Sequence, residues 1–197
     1  MIRYIIYIFL ILFYSCSEEQ GIDINTVNFG SEDSLDVITW NIENFPKNFA
    51  TTDYVSELIN AFHDIDIIAL QEISNQPAFN NLINSLNSNN WVGFRNANSD
   101  YGELSYLINT TNITIIDEPY TILEEQEYQF AYRPPYVVKI KFYDQEYILI
   151  DVHLKCCGDG EIDWSDSGDE EVRRYYANQL LKSYIEEYFF NENLIIL

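Results

Sequence analysis

From residue 35 onward the chain switches between two hydrophobic periods. Residues 35–41 alternate apolar and polar positions and are rich in β-formers, as a strand should be. Thr52 and Asp53 then offer an N-cap for a helix through about His63, with Val55, Leu58, Ile59 and Phe62 on one face. Residues 66–70 read as a buried strand ending in Gln71-Glu72, and Pro77 opens a second helix to about Leu86, before an Asn-rich loop. This strand–helix–strand–helix opening predicts an α/β fold. The middle changes character, with strand-like runs at 103–108, 113–116, 128–132, 136–142 and, after a turn at Asp144-Gln145, 146–154. Strands that follow one another without helices imply antiparallel pairing, with 137–142 and 147–153 as a hairpin. Residues 155–168 form an acidic polar loop, and Ser167-Gly168-Asp169-Glu170 has capping-box spacing. The helix that follows runs to about Phe189, with Ala177, Leu180, Leu181, Tyr184 and Ile185 on its apolar side, and 193–197 starts a further apolar strand.

The N-terminus follows a different pattern. Met1-Ile2-Arg3 is a short positive region and 4–14 an apolar run, shorter than the roughly 20 residues that span a bilayer. It ends at Ser15-Cys16 and resembles a bacterial lipoprotein signal, in which Cys16 is acylated and becomes the mature N-terminus. Phe13 and Tyr14 are bulkier than is usual before such a cysteine, and the alternative is an ordinary signal peptide with an incidental Cys16. Three segments are therefore expected: a signal over 1–16, a polar tether over 17–34 and a domain over 35–197. The expected location is the bacterial envelope, at the outer membrane or cell surface through a lipid anchor, with a secreted or periplasmic protein as the alternative.

Charge narrows the partners. Asp plus Glu number 32 against 10 Lys plus Arg, a formal net charge of −22. Such a surface repels polyanions at long range, because binding to duplex nucleic acid rests on Lys and Arg releasing counterions. A phosphate substrate remains compatible with it if a divalent cation reverses the local field. No protein partner is evident from the sequence. Cys156 and Cys157 are adjacent, and a strained disulfide, two thiols or pairing with a partner all stay open.

Three polar residues share one situation: Asn41, Glu72 and His153 each stand at or just past the C-terminal end of an apolar strand, where a rigid element fixes position and a loop gives access. Period two sets His153 with Asp151 on one face and Ile148, Ile150 and Val152 on the other, so His153 is expected off the apolar face. Leu35 to Phe45 (LDVITWNIENF), Asp64 to Ile73 (DIDIIALQEI), Arg133-Pro134-Pro135-Tyr136 and Asp151-Val152-His153-Leu154 resemble, in order, four motifs of the endonuclease/exonuclease/phosphatase superfamily.

The resemblance implies a two-sheet α/β/β/α sandwich of mixed strands flanked by helices. It also implies a phosphoesterase dependent on Mg2+ (or Mn2+), acting on nucleic acid or a small phosphate ester. Glu72 would be the metal-ligating carboxylate, and Asn41 would orient the metal or a phosphate oxygen. His153 would activate water or stabilise phosphorane-like charge. Arg133 would hold phosphate, or else form a salt bridge in this acidic chain. Glu103 would correspond to a carboxylate that orients the histidine, a part Asp151 could equally take. Asp151 departs from the Asn that many members carry two residues before the histidine; an added carboxylate there would raise the imidazole pKa if close, or add a ligand. The family's Gly-Asp-x-Asn and terminal Asp-His motifs are not among these residues, so the chain is expected to be a C-terminally incomplete, inactive fragment. A non-catalytic surface lipoprotein that binds through the same fold is the alternative. His63 is expected on a helix in a structural part, and Asp159, Glu161, Asp163 and Glu170 in a solvated loop, since Trp164 occupies the position where a calcium loop needs glycine.

Overall fold

The computed structural model describes residues 29–97 and 102–197; Cys16, the 1–16 segment and most of the tether lie outside them. The first sheet has the order β1 (Val37–Phe45), β2 (Ile67–Ile73), β4 (Glu103–Asn109), β3 (Trp91–Arg95). β1 and β2 run parallel, joined by α1 (Thr51–Ala61), and the other pairs are antiparallel. The second sheet has the order β5 (Ile113–Thr121), β6 (Tyr136–Phe142), β7 (Gln145–Asp151), β8 (Leu194–Ile196). Its β6–β7 hairpin pairs Tyr136 with Asp151 and Phe142 with Gln145, and α3 (Glu170–Tyr188) carries the chain to β8, parallel to β7.

Three apolar layers hold this arrangement. Val55, Ile59, Phe79 and Leu82 of α1 and α2 (Gln76–Asn84) pack on Ile68, Leu70 and Leu107 of the first sheet. Between the sheets lie Ile67, Ala69, Leu104, Tyr106 and Ile108 against Val138, Ile140 and Leu149. On the outer face of the second sheet, Val137, Ile148 and Ile150 meet Ala177 and Leu181 of α3. The result is the expected α/β/β/α sandwich: the inner strand β2 is buried on both faces, which accounts for its near-continuous apolar run.

Several local expectations change. α1 starts at Thr51 from an uncapped Ala50, because Asn48 accepts from Ala50 N and Thr51 from Asn48 N, so the turn at Asn48 sets the entry rather than Thr52 or Asp53. Helix α1 stops at Ala61, so His63 is off the helix, and it is exposed. Asp169 itself caps α3 by accepting from Val172 N at 2.7 Å, leaving Ser167 outside the cap. Residues 128–132 do not form a strand: Phe130 and Ala131 are both buried, and Ala131 and Tyr132, with φ of 54° and 63°, turn the chain after a short 3-10 helix. β3 was not expected. Its Gly93 lies under α2, where a Cβ would come within 2.2 Å of Ile83. Residues 29–34 also pack on the domain, Gly30 bridging to Asp64 and Phe29 meeting Phe62 edge to face at 5.0 Å.

Candidate active site

The parallel pair β1–β2 ends in two irregularities. Register breaks between Asn41 and Phe45 in β1 and between Leu70 and Ile73 in β2. Glu43, Asn44 and Glu72 all have positive φ, 26°, 57° and 65°. Bulges of this kind turn a strand's side chains away from the ladder, and non-glycine residues held left-handed are costly and gather at functional sites. Here they free the Glu72 carboxylate, whose Oε1 accepts from Asn41 Nδ2 at 3.2 Å and whose Oε2 accepts from Asn44 N at 3.1 Å. The Asn41 Oδ1 accepts from Glu43 N at 2.8 Å, so the amide orients the carboxylate through its nitrogen.

The second sheet brings the complementary groups. Arg133 follows the two left-handed residues Ala131 and Tyr132, and its own N–H bonds to Phe130 O at 3.0 Å. His153, two residues past β7, places Nε2 3.6 Å from Glu72 Oε1, an ion-pair distance too long for a hydrogen bond. Its Nδ1 is buried and meets no hydrogen-bond partner among the described residues. Burial lowers the imidazole pKa, the Arg133 charge lowers it further, and Glu72 opposes both. Gly102, with φ 95°, closes the arrangement: a Cβ there would lie 3.3 Å from Glu72 Cα and 3.8 Å from Arg133 Nη2. A bare backbone at residue 102 thus lets the start of β4 pass close to the Glu72 backbone and the Arg133 guanidinium.

Beneath the site a buried polar network ties the two sheets. Gln71 Nε2 donates to Asp151 Oδ1 at 2.7 Å and to Thr39 Oγ1 at 3.0 Å. The Tyr106 hydroxyl donates to Tyr136 O and accepts from Asp151 N, both at 2.8 Å. Thr39, Gln71, Tyr106, Tyr136 and Asp151 come from β1, β2, β4, β6 and β7, so the network fixes how one sheet sits on the other directly below Glu72 and His153. Burial pushes the Asp151 carboxyl well above the usual carboxylate range, against the hydrogen bond from Gln71. The expected effect of Asp151 on the histidine is therefore corrected: it is buried and engaged by Gln71, and the imidazole pKa is lowered rather than raised. His153 was expected off the face of Ile148, Ile150 and Val152, which packs toward α3; the face it shares with Asp151 is buried too, since Leu149 lies between the sheets. Glu103 is buried opposite Ile73, and β4's alternation sets it with Ser105 and Leu107 toward the helices, beside the Glu72 bulge. Among the described residues, the charges that act on His153 are those of Arg133 and Glu72.

Among the described residues, no three His, Cys, Asp or Glu side chains converge on one metal position. One carboxylate with an open face still suits magnesium, which keeps several waters and takes one or two carboxylates. The Glu72 side chain is 17% exposed, so part of it reaches solvent. Gly102 and Tyr106 were missed from sequence. A glycine opening a strand and a tyrosine whose hydroxyl needs a partner in a core strand were the available signals.

The family model described as Endonuclease/Exonuclease/phosphatase family matches residues 38–182. No curated protein sequence matches the chain. Among solved structures, a humanized D. rerio TDP2 carrying 14 mutations is 16% identical with a TM-score of 0.57, over 82% of this chain and 59% of that one. D. rerio TDP2 complexed with single strand DNA product is 15% identical with a TM-score of 0.56, over 82% and 58%. The human Nocturnin catalytic domain with bound sulfate anion is 13% identical with a TM-score of 0.50, over 82% and 63%. The chain thus spans about three fifths of the length of these structures, and at such identities the likeness shows the fold.

Proposed function

This chain belongs to the endonuclease/exonuclease/phosphatase family, and on that premise we propose that it supplies the metal- and phosphate-binding half of a magnesium-dependent phosphoesterase site. The supporting observation is the meeting of Glu72 from the first sheet with His153 from the second, 3.6 Å apart, with the Arg133 charge acting on the same imidazole. Glu72 is the residue that would hold Mg2+ (or Mn2+), with Asn41 and the Asn44 N–H fixing its two oxygens. When bound, the ion supplies Lewis-acid polarisation and charge neutralisation at a phosphate oxygen. Arg133 presents a planar fork to a second phosphate oxygen. With its pKa lowered, His153 stays neutral near pH 7 and can accept a proton from water at Nε2. The substrate is a phosphoester, of nucleic acid or of a small molecule; one structural relative is complexed with single strand DNA product.

The 197 residues hold neither a Gly-Asp-x-Asn nor an Asp-His pair. Groups that act as a unit fail together, so these residues alone should turn over at most a trace. The test assays the 197-residue chain and the product of the whole open reading frame with magnesium and a chromogenic phosphodiester. The reading predicts metal-dependent hydrolysis by the whole product, abolished by Glu72→Gln, and almost none by the 197 residues. Equal rates from both, or none from the whole product, would refute it. We also propose that Cys16 is lipidated, with residues 1–16 as signal and 17–34 as tether, and that the protein is held at the bacterial outer membrane or cell surface. Cys16→Ser should then move it to the soluble fraction; unchanged membrane retention would refute the anchor. Among the described residues, no helix is long and apolar enough to cross a membrane.

A further inference from the structure

Cys156 and Cys157 take no part in the site above, yet they sit beside it. Side chains of neighbouring residues in an extended chain point to opposite sides. Here the Cys157 backbone is left-handed, with φ 73°, and the two Sγ atoms are 3.0 Å apart. Both thiols are free and exposed. The conformation is held from behind: Arg174 Nη1 donates to Lys155 O at 2.8 Å and to Cys157 O at 2.9 Å, while its Nη2 pairs with Glu171 at 2.7 Å. Cys156 lines a cavity of about 200 Å3 with Tyr132, Arg133, Lys155 and Arg173. This is an electropositive, open setting of the kind in which thiols are reactive. The hydrogen bond between the two sulfurs holds the Cys156 thiol below its ordinary value, helped by Lys155 and Arg133, and pushes Cys157 up. One sulfur is thus readied to attack while the other keeps its proton.

We propose that Cys156 and Cys157 form a reactive dithiol beside Arg133, a modification site for small-molecule disulfides. The Cys156 thiolate attacks one sulfur of the disulfide, giving a mixed disulfide and expelling one thiolate. Cys157 loses its proton, attacks Cys156 Sγ and expels the second. The dithiol gives up two electrons and two protons, and the small disulfide becomes two thiols. Neighbouring Cα atoms stand about 3.8 Å apart across a trans peptide, short of the roughly 4.4–6.8 Å usual for a disulfide. The vicinal ring is therefore strained and readily reopened by thiols, which makes the site reversible rather than a structural staple. This inference does not depend on the phosphoesterase reading.

The test treats the folded chain, in a Cys16→Ser background, with oxidised glutathione and follows intact mass. The expected product has lost two hydrogens, carries no glutathione and is restored by dithiothreitol. Cys157→Ser should instead retain one glutathione, on Cys156. In urea, where the backbone no longer holds the sulfurs together, ring closure should slow by at least about tenfold, so that mixed disulfides accumulate. Stable glutathione on both thiols of the folded chain, no reaction, or equal closure rates folded and unfolded would each overturn the proposal.

Discussion

The two ends of the sandwich each set a histidine among carboxylates, and only one of them has the makings of a catalytic centre. At the far end, Ser31, His63, Asp64, Asp66, Asn109 and Tyr143 line a polar cavity of about 400 Å3. At the near end the cavity beside Arg133 is half that size, about 200 Å3. Volume alone does not tell these two ends apart, since a groove between residues 121–126 and α3 is larger than either, about 530 Å3. Among the described residues no Lys or Arg lines the far-end cavity, and Asp66 there serves the fold, its carboxylate accepting from Asp36 N at 2.9 Å. At the near end a carboxylate, a guanidinium and an imidazole are brought together by strained backbone at Glu43, Asn44, Glu72, Ala131 and Tyr132. Opposed charges and backbone strain, more than concavity, separate a site from a surface pocket.

The largest effect expected from this contrast is on turnover. In the whole open-reading-frame product, Glu72→Gln should lower kcat/KM by about 10³-fold or more, measured with magnesium and a chromogenic phosphodiester. Next comes stability. Tyr106→Phe removes the hydroxyl between Tyr136 O and Asp151 N and strands two buried backbone groups. It should cost about 1–3 kcal/mol in urea unfolding; a cost near zero would mean that the network does not pin the sheets.

Asp151→Asn tests the same network through pH. A carboxyl whose folded pKa is raised holds its proton in the folded state at pH values where the unfolded chain has released it. Stability therefore falls as pH rises above the unfolded value of about 3.9 toward the folded one. The amide keeps the shape without that slope, so thermal melting should show Asp151→Asn gaining on the wild type as pH rises above about 4. The smallest effect belongs to the far end. His63→Ala should change stability by no more than about 0.5 kcal/mol and leave hydrolysis by the whole product unchanged. A large loss of activity would reverse the contrast.

Much of this was readable before any coordinates. The period switch marks β1, α1, β2 and the β6–β7 hairpin, because both faces of each sheet are buried and the apolar pattern reports it directly. Glu72 near the end of β2 and His153 just past β7 were legible in the same way, but β1 runs on through a bulge to Phe45, so Asn41 lies within the strand rather than at its end. What escaped was set by contacts distant in sequence. β3 hides behind a glycine required by Ile83 of α2, and residues 128–132 copy a strand's alternation because Phe130 is buried while Arg173 grips the Tyr128 carbonyl at 3.0 Å. Asp151 reads as a second active-site carboxylate until the second sheet is seen to turn it toward Gln71, and no local pattern records that turn.

The most direct test of the assembled site is the NMR titration of His153 in the 197-residue chain, which requires no catalysis. The account predicts a pKa below 6.5, raised by Arg133→Gln and lowered further by Glu72→Gln. A titration that neither substitution moves would show that the two sheets do not bring these three residues together.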